Sequence, residues 1–536
     1  MPKVREKTMN KTPASIFNDV IGPVMRGPSS SHTAASARIA EIVRMSLGAT
    51  PARAVVDFDV NGSLAVVHEG QGTDLGLVCG FLGTPLTAEG VDKYWDNAKA
   101  AGLELQFREY DYGAEHPNTY RITAETRGGT ARRWEAISTG GGMIEMTRFE
   151  DFPVSIRGDF YELLALFPEP NAAASVGFVP APDFMNVEER GGKALLSAKF
   201  HEKPDEAAIR AALESAGASD LIFLDPVLPT LSRAGMSVPF SNAEEMLAWN
   251  EGKNLEMWQL AAEYEAARGG TSREDVFNKM SALVEIMERA LDDGLAGTDY
   301  ADRILGPQAY MIDAARGRGA LLPCDVLNSM IKSITAIMET KSSMGVIVAA
   351  PTAGSCGCLP GSVIGAARAL GMGRAEITRA MLAAGLVGIF IAEGATFAAE
   401  VGGCQVECGA GSGMAAAALV QLAGGSARRC ADAASMALQN ITGLACDPVA
   451  NRVEVPCLGK NVMGGSNALS CANMALAGYD KVIPLDETIA AMYDVGTKLP
   501  PELRCTYGGL GKAPTAAKIA ERLARLSECA VVKHIA

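Results

Sequence analysis

The chain has 536 residues, 48% of them hydrophobic and 21% charged, with a formal net charge of −14. That length suits about three or four domains, and the balance is that of a globular protein with a large core. The acidity argues against nonspecific attraction to nucleic acid or to an anionic membrane surface.

The first residues, "MPKVREKTMNKTPASIF", are basic but have no apolar run behind them, so they do not form a secretory signal. The region 1–150 alternates β-type runs such as "AVVDFDV" and "ELQFREY" with Gly-rich turns such as "STGGGMIEM", which predicts an α/β (α+β) domain. Within it, "RGPSSSHTAASARIAE" sets Ser29, Ser30, Ser31 and His32 at the start of a helical pattern. Such a cluster can cap the helix or bind an anion there. "GSLAVVHEGQGTDLG" carries His68, Glu69 and Asp74, groups able to titrate; a solvated loop is the simpler alternative. With only five histidines in the chain, a histidine-based metal site is not expected.

The region 151–232 reads as a small ferredoxin-like βαβ unit. "FYELLALF", "KALLSAKF" and "DLIFLDPVL" are strand-like. Between the last two, Pro204 and Asp205 suit a helix start, and Ile209 and Leu213 share one face. From 233 to 536 the pattern turns helical, predicting an all-α domain. "NAEEMLAWNEGKNLEMWQLAAEYEAARGG" and "SREDVFNKMSALVEIMERALDDG" are amphipathic; later helices are rich in Ala and Gly. The longest apolar run, "AMLAAGLVGIFIA", is shorter than the roughly 20 residues of a membrane span and predicts a buried helix. A cytoplasmic protein without a membrane partner is the expectation.

Nearly all of the 12 cysteines fall in the helical region. In a reducing compartment they are thiols, and clustered thiols suggest metal or catalysis. Cys404 and Cys408 sit in "EVGGCQVECGAGSG", and Cys446 and Cys457 bracket the loop of "GLACDPVANRVEVPC". Thiolates on loops can converge on an iron–sulfur cluster, but no CxxC is present, and small buried thiols in an Ala-rich core fit the spacing as well. In "APTAGSCGCLPG", Thr352, Gly354 and Ser355 offer backbone N–H groups and hydroxyls to a carboxylate, or form a capping turn.

Taken in order, "GPSSSHT", "GSLAVVHEGQGTD", "HPNT", "STGGG", "APTAGSCG", "GGCQVE" and "GLACDPVANRVEVPC" resemble the iron–sulfur-dependent L-serine dehydratases (L-serine ammonia-lyases) over most of the chain. The resemblance implies a β-like domain at 1–150, an ACT-like domain at 151–232 and a catalytic domain at 233–536. It implies a [4Fe–4S] cluster on Cys404, Cys446 and Cys457 with one iron open, and no pyridoxal phosphate. Ser29, Ser30, Ser31, His32 and His68 become candidate catalytic groups; Thr352, Gly354, Ser355, Asp74, His116 and Asn118 become candidate substrate contacts. A homodimer is expected.

Two departures stand out. Gln71 replaces the histidine of the family's "GHGTD", so His68 is a substitute candidate for a base. Cys505, in "LRCTYGGLG", stands where the family has an acidic residue. Cys505 and Cys529 are candidate temporary caps of the open iron. β-Elimination from threonine, cysteine or another hydroxy-amino acid is an alternative within this chemistry. A cysteine-rich metal-binding regulatory protein is the alternative outside it.

Overall fold

The computed structural model describes residues 12–173, 180–506 and 508–535. The first sheet holds β1 (Arg53–Asp59), β2 (Glu104–Tyr110), β3 (Thr119–Glu125), β4 (Ala131–Gly140), β5 (Met143–Phe149) and β6 (Phe152–Ile156), in the order β2-β1-β3-β4-β5-β6. Only the β1–β2 pair is parallel. Alternate residues of β4 are buried, as expected of a strand with one face on a core. The last strand carries the sheet past residue 150.

Helices α1 (Ala35–Leu47) and α2 (Thr73–Leu82) cover the sheet through Ile39, Val43, Leu77 and Phe81. They approach backbone to backbone. A Cβ on Gly76 would lie 2.1 Å from the Thr33 carbonyl oxygen, and one on Gly80 would lie 2.2 Å from that of Ala37. The glycines of "GTDLGLVCG" therefore hold α2 against the turn that carries the three serines and His32.

A second sheet follows: β7 (Tyr161–Phe167), β8 (Phe184–Arg190), β9 (Lys193–Phe200) and β10 (Asp220–Leu224), all antiparallel, in the order β10-β7-β9-β8. Strand β8 was not foreseen; its residues are mostly exposed and polar, so it lacks an apolar signature. Helix α3 (Glu206–Ser215) starts at Asp205, whose carboxylate accepts from the N–H groups of Ala207 and Ala208 at 3.1 Å each. Its Ile209 and Leu213 pack on Leu163, Leu196 and Phe200. Leu164, Leu195, Ile222 and Leu224 instead join the core of the first sheet.

The remainder is helical. The amphipathic stretch from residue 242 to 270 is two helices, Ala243–Trp249 and α4 (Met257–Gly269). The Asn250 side chain ends the first by bonding both the N–H and the carbonyl of Leu255 at 2.9 Å, and Asn254 turns the chain at φ 54°. Then come α5 (Arg273–Ala296), α6 (Asp325–Ser342), α7 (Cys358–Ala369), α8 (Arg374–Gly394), α9 (Cys408–Leu422), α10 (Ala427–Ile441) and α11 (Cys457–Ala477).

Helix α8 is the one helix among the described residues long and apolar enough to cross a membrane, yet 78% of its apolar window is buried inside the protein. It is the centre of the helical core, and the N-terminal segment packs on it. The positions of Cβ atoms on Gly385 and Gly388 lie 2.8 Å from Ile16 and 2.1 Å from Val20. Ala14 to Met25 thus belong to the helical core rather than to the α/β unit. Val24 and Met25 also pair antiparallel with Val348 and Ile347.

Candidate active site

The turn "SSSHT" is a wide helical turn, Ser30–Ala34, leading into α1. Ser29 occupies its cap position but makes no capping bond. Its hydroxyl lies 3.0 Å from His32 Nδ1, and the Ser31 hydroxyl lies 3.1 Å from the same nitrogen. Ser31 Oγ also donates to Glu400 Oε1 at 3.1 Å, and that oxygen lies 3.6 Å from His32 Nδ1. Ser30 Oγ accepts from the Ala353 N–H at 3.2 Å, which joins the serine turn to "TAGS". Thr352 caps that second turn, accepting from the Ser355 N–H at 3.2 Å. The serine hydroxyls thus bond His32, Glu400 and the Ala353 N–H, and Ser29 does not cap the turn.

"STGGG" fixes the seam. Gly140, at φ 101°, bridges to Phe397, and a Cβ there would lie 2.5 Å from the Ala398 nitrogen. Only glycine allows that approach. Ser138 Oγ donates to the Ser31 carbonyl at 2.7 Å. The strand end therefore holds both the serine turn and the segment that leads into Glu400.

Several buried polar atoms at this seam have no hydrogen-bond partner: His32 Nε2, both amide atoms of Asn118, and Glu400 Oε2. Such atoms are costly unless something polar meets them. Burial lowers the pKa of His32 below the ordinary 6.5, with Glu400 opposing and His68 adding to the shift. Burial likewise lowers His116, again opposed by Glu400. His116 Nδ1 accepts from the Asn118 N–H at 3.2 Å.

His68 is arranged differently. Its Nδ1 is 2.7 Å from Asp74 Oδ1, and its Nε2 is 3.6 Å from Glu109. Burial would lower its pKa, but the Asp74 hydrogen bond and the surrounding carboxylates raise it. Both ring nitrogens are engaged by carboxylates, and Asp74 is occupied by His68.

The thiols of Cys404, Cys408, Cys446 and Cys505 gather in one buried cluster. Hydrogen bonds from Cys408 and Cys446 hold the Cys404 thiol well below its ordinary pKa despite burial, and push their own upward. Burial pushes Cys457 up to about 12, with Lys341 and Lys460 opposing. Cys457 opens α11, and Lys460, one turn on, bonds Asp447 Oδ1 and the Ala445 carbonyl at 2.6 Å each. Among the described residues no three Cys, His, Asp or Glu side chains surround a single-ion position. The donor set nevertheless fits an iron–sulfur group: Cys404, Cys446 and Cys505 are buried thiols from three segments far apart in the chain, and Cys457, at the start of α11 and outside that cluster, is near enough to Cys404 to feel its charge, with Lys341 and Lys460 close by to offset it.

Residues not singled out from the sequence complete the site. Asn461, fully buried, ties it together: its Oδ1 accepts from Cys358 N–H at 2.7 Å, and its Nδ2 donates to the carbonyls of Gly354 and Cys457 at 2.8 Å each. Glu400 and Glu407 flank "GGCQV"; Glu407 hydrogen-bonds Thr352. Their position beside Cys404 was the only signal for them.

The two departures meet. Gln71 Nε2 donates to Cys505 Sγ at 3.1 Å. Cys505 holds an unusual φ of 62°, and its N–H bonds the Cys446 carbonyl at 3.0 Å. The Cys529 side chain lies outside the described residues.

Residues 252–510 match the serine dehydratase alpha chain family. The chain is 37% identical over 285 residues to the probable L-serine dehydratase alpha chain of Bacillus subtilis, covering 53% of this chain and 95% of that one. It is 34% identical over 281 residues to the L-serine dehydratase alpha chain of Peptoniphilus asaccharolyticus, covering 52% of this chain and 96% of that one. It is also 39% identical over 152 residues to the probable beta chain from Bacillus subtilis, covering 28% of this chain and 67% of that one. This one chain is similar to both, and it belongs to the L-serine dehydratase family.

Proposed function

We propose that the protein is an iron–sulfur hydro-lyase that converts L-serine to pyruvate and ammonia. The observation that carries this reading is the seam itself: unpartnered buried polar atoms of His32, Asn118 and Glu400 lie beside a cluster of thiols. The three-part division (1–150 β-like, 151–232 ACT-like, 233–536 catalytic) belongs to the same proposal. The strand order of the second sheet, with α3 on one face, supports its ACT-like part.

In this reading Cys404, Cys446 and Cys457 hold a [4Fe–4S] cluster, and Lys341 and Lys460 temper the thiolate charge. When bound, such a cluster supplies a Lewis-acidic iron that makes a hydroxyl a better leaving group. The chain's own residues do the rest. The hydroxyls of Ser29 and Ser30 and the Thr352–Gly354–Ser355 turn bind the substrate carboxylate, with Asn118 adding its amide and His116 lining the same space; Ser31 donates its one O–H to Glu400. His32, kept neutral by burial, takes the Cα proton on Nε2, the ring nitrogen without a partner. Ser29 and Ser31 hold the imidazole through Nδ1, so the ring cannot turn away. His68 and Asp74 support α2 as a closed pair rather than serving as base and substrate contact. Loss of the Cα proton and the β-hydroxyl gives aminoacrylate and water; aminoacrylate tautomerises and hydrolyses to pyruvate and ammonia.

Cys505 is the candidate internal cap: it lies in the thiol cluster and Gln71 fixes its sulfur. A cytoplasmic homodimer without pyridoxal phosphate completes the proposal. The test is purification without oxygen, a visible spectrum and a pyruvate assay with L-serine. A colourless, iron-free protein that stays inactive after anaerobic reconstitution would overturn it.

A further inference from the structure

An amino acid brings an ammonium group as well as a carboxylate and a hydroxyl. In a closed site that charge needs a carboxylate partner, because an unpaired buried ion is strongly disfavoured. Asp74 and Glu400 are buried carboxylates at this seam and Glu407 is a half-buried one; Asp74 and Glu407 are committed. Asp74 is taken by His68, and Glu407 bonds Thr352. Glu400 is 4% exposed; its Oε1 accepts from Ser31, and its Oε2 is buried without a partner. The bridge between Gly140 and Phe397 holds the segment that precedes it.

We infer that Glu400 Oε2 binds the α-ammonium of the substrate and is the group that selects amino acids over hydroxy acids lacking an amine. This rests on the proposed serine site. The carboxylate that anchors the ammonium is also tied, through Ser31, to the hydroxyl pair that holds His32. Ammonium binding and proton removal are thereby set by one hydrogen-bonded row. Neither residue type nor spacing marks Glu400 for this role; the open oxygen does.

The test compares L-serine with 3-hydroxypropanoate, the same molecule without the amine, used as a competitive inhibitor of the holoenzyme. Glu400→Gln keeps the shape and removes the charge. Its KM for L-serine rises about tenfold to a hundredfold, the loss expected for one charge-assisted hydrogen bond, while the inhibition constant of 3-hydroxypropanoate stays unchanged. Glu400→Asp, which keeps the charge on a shorter arm, shows a smaller rise in KM with the same unchanged inhibition constant, and it serves as the test where the Gln variant does not fold. Retention of the visible spectrum reports on folding and loading. If KM and the inhibition constant rise together, or kcat falls with KM unchanged, Glu400 does not bind the ammonium. A wild-type protein that makes no pyruvate from L-serine would instead overturn the proposed function, so the two failures are separable.

Discussion

Replacing Asn461 with alanine removes the side chain that joins "TAGS" to α11. The wild-type amide makes three bonds of 2.7–2.8 Å, to Cys358 N–H and to the carbonyls of Gly354 and Cys457. The Cys457 carbonyl keeps a partner within its own helix. Cys358, first residue of α7, has no helical partner for its N–H, and Gly354 loses its donor. Two buried groups left unpaired cost about 1–3 kcal/mol each, or about 2–6 kcal/mol together. For a helical unit of this size that corresponds to a fall of roughly 5–15 °C in the transition seen by calorimetry. The same substitution frees the "TAGS" turn from Cys457, so kcat/KM for L-serine falls with it. A transition within about 1 °C of wild type would refute the energetic argument, since a surface substitution produces no more than that.

Other consequences can be checked more directly. If His32 is the base, kcat/KM rises as His32 loses its proton and is lost as the pH falls through its folded pKa; with that pKa lowered, the acid limb lies below 6.5. His32→Gln costs about 10²–10⁴ in kcat, and a variant with an intact acid limb removes His32 from the role. Cys404→Ala, Cys446→Ala and Cys457→Ala each lose the visible absorption after anaerobic purification; a variant that stays coloured and active removes that cysteine from the ligand set. Cys505→Ala lowers the KM for L-serine about twofold to tenfold, because no internal thiol then occupies part of the population; an unchanged KM sinks the cap.

The elements visible in the sequence were those whose signal is local. The apolar run of α8 marked a buried helix because a long run of apolar residues has few other uses. Asp205, Ile209 and Leu213 marked α3 because cap and face follow from the chain itself. The break at Asn250 was missed because it depends on one amide folding back on Leu255. At the site, the serines and His32 were visible as residue types, but cap and site look the same in one dimension. Glu400 and Asn461 were not visible, since an acid or an amide in a helical pattern usually faces water. Nor was the contact between Gln71 and Cys505, which are 434 positions apart and meet only in the folded chain.

That separation has a bearing on synthesis. Ile16 and Val20 rest on the glycines of α8, and Val24 and Met25 pair with a strand more than 300 positions later. A chain emerging from the ribosome cannot settle its first segment until α8 has appeared. Contacts of such long sequence separation form late and slowly. The serine turn, only a few residues beyond that segment, is therefore ordered near the end of folding. A nascent or prematurely released chain carries the early residues of the centre without the architecture to use them.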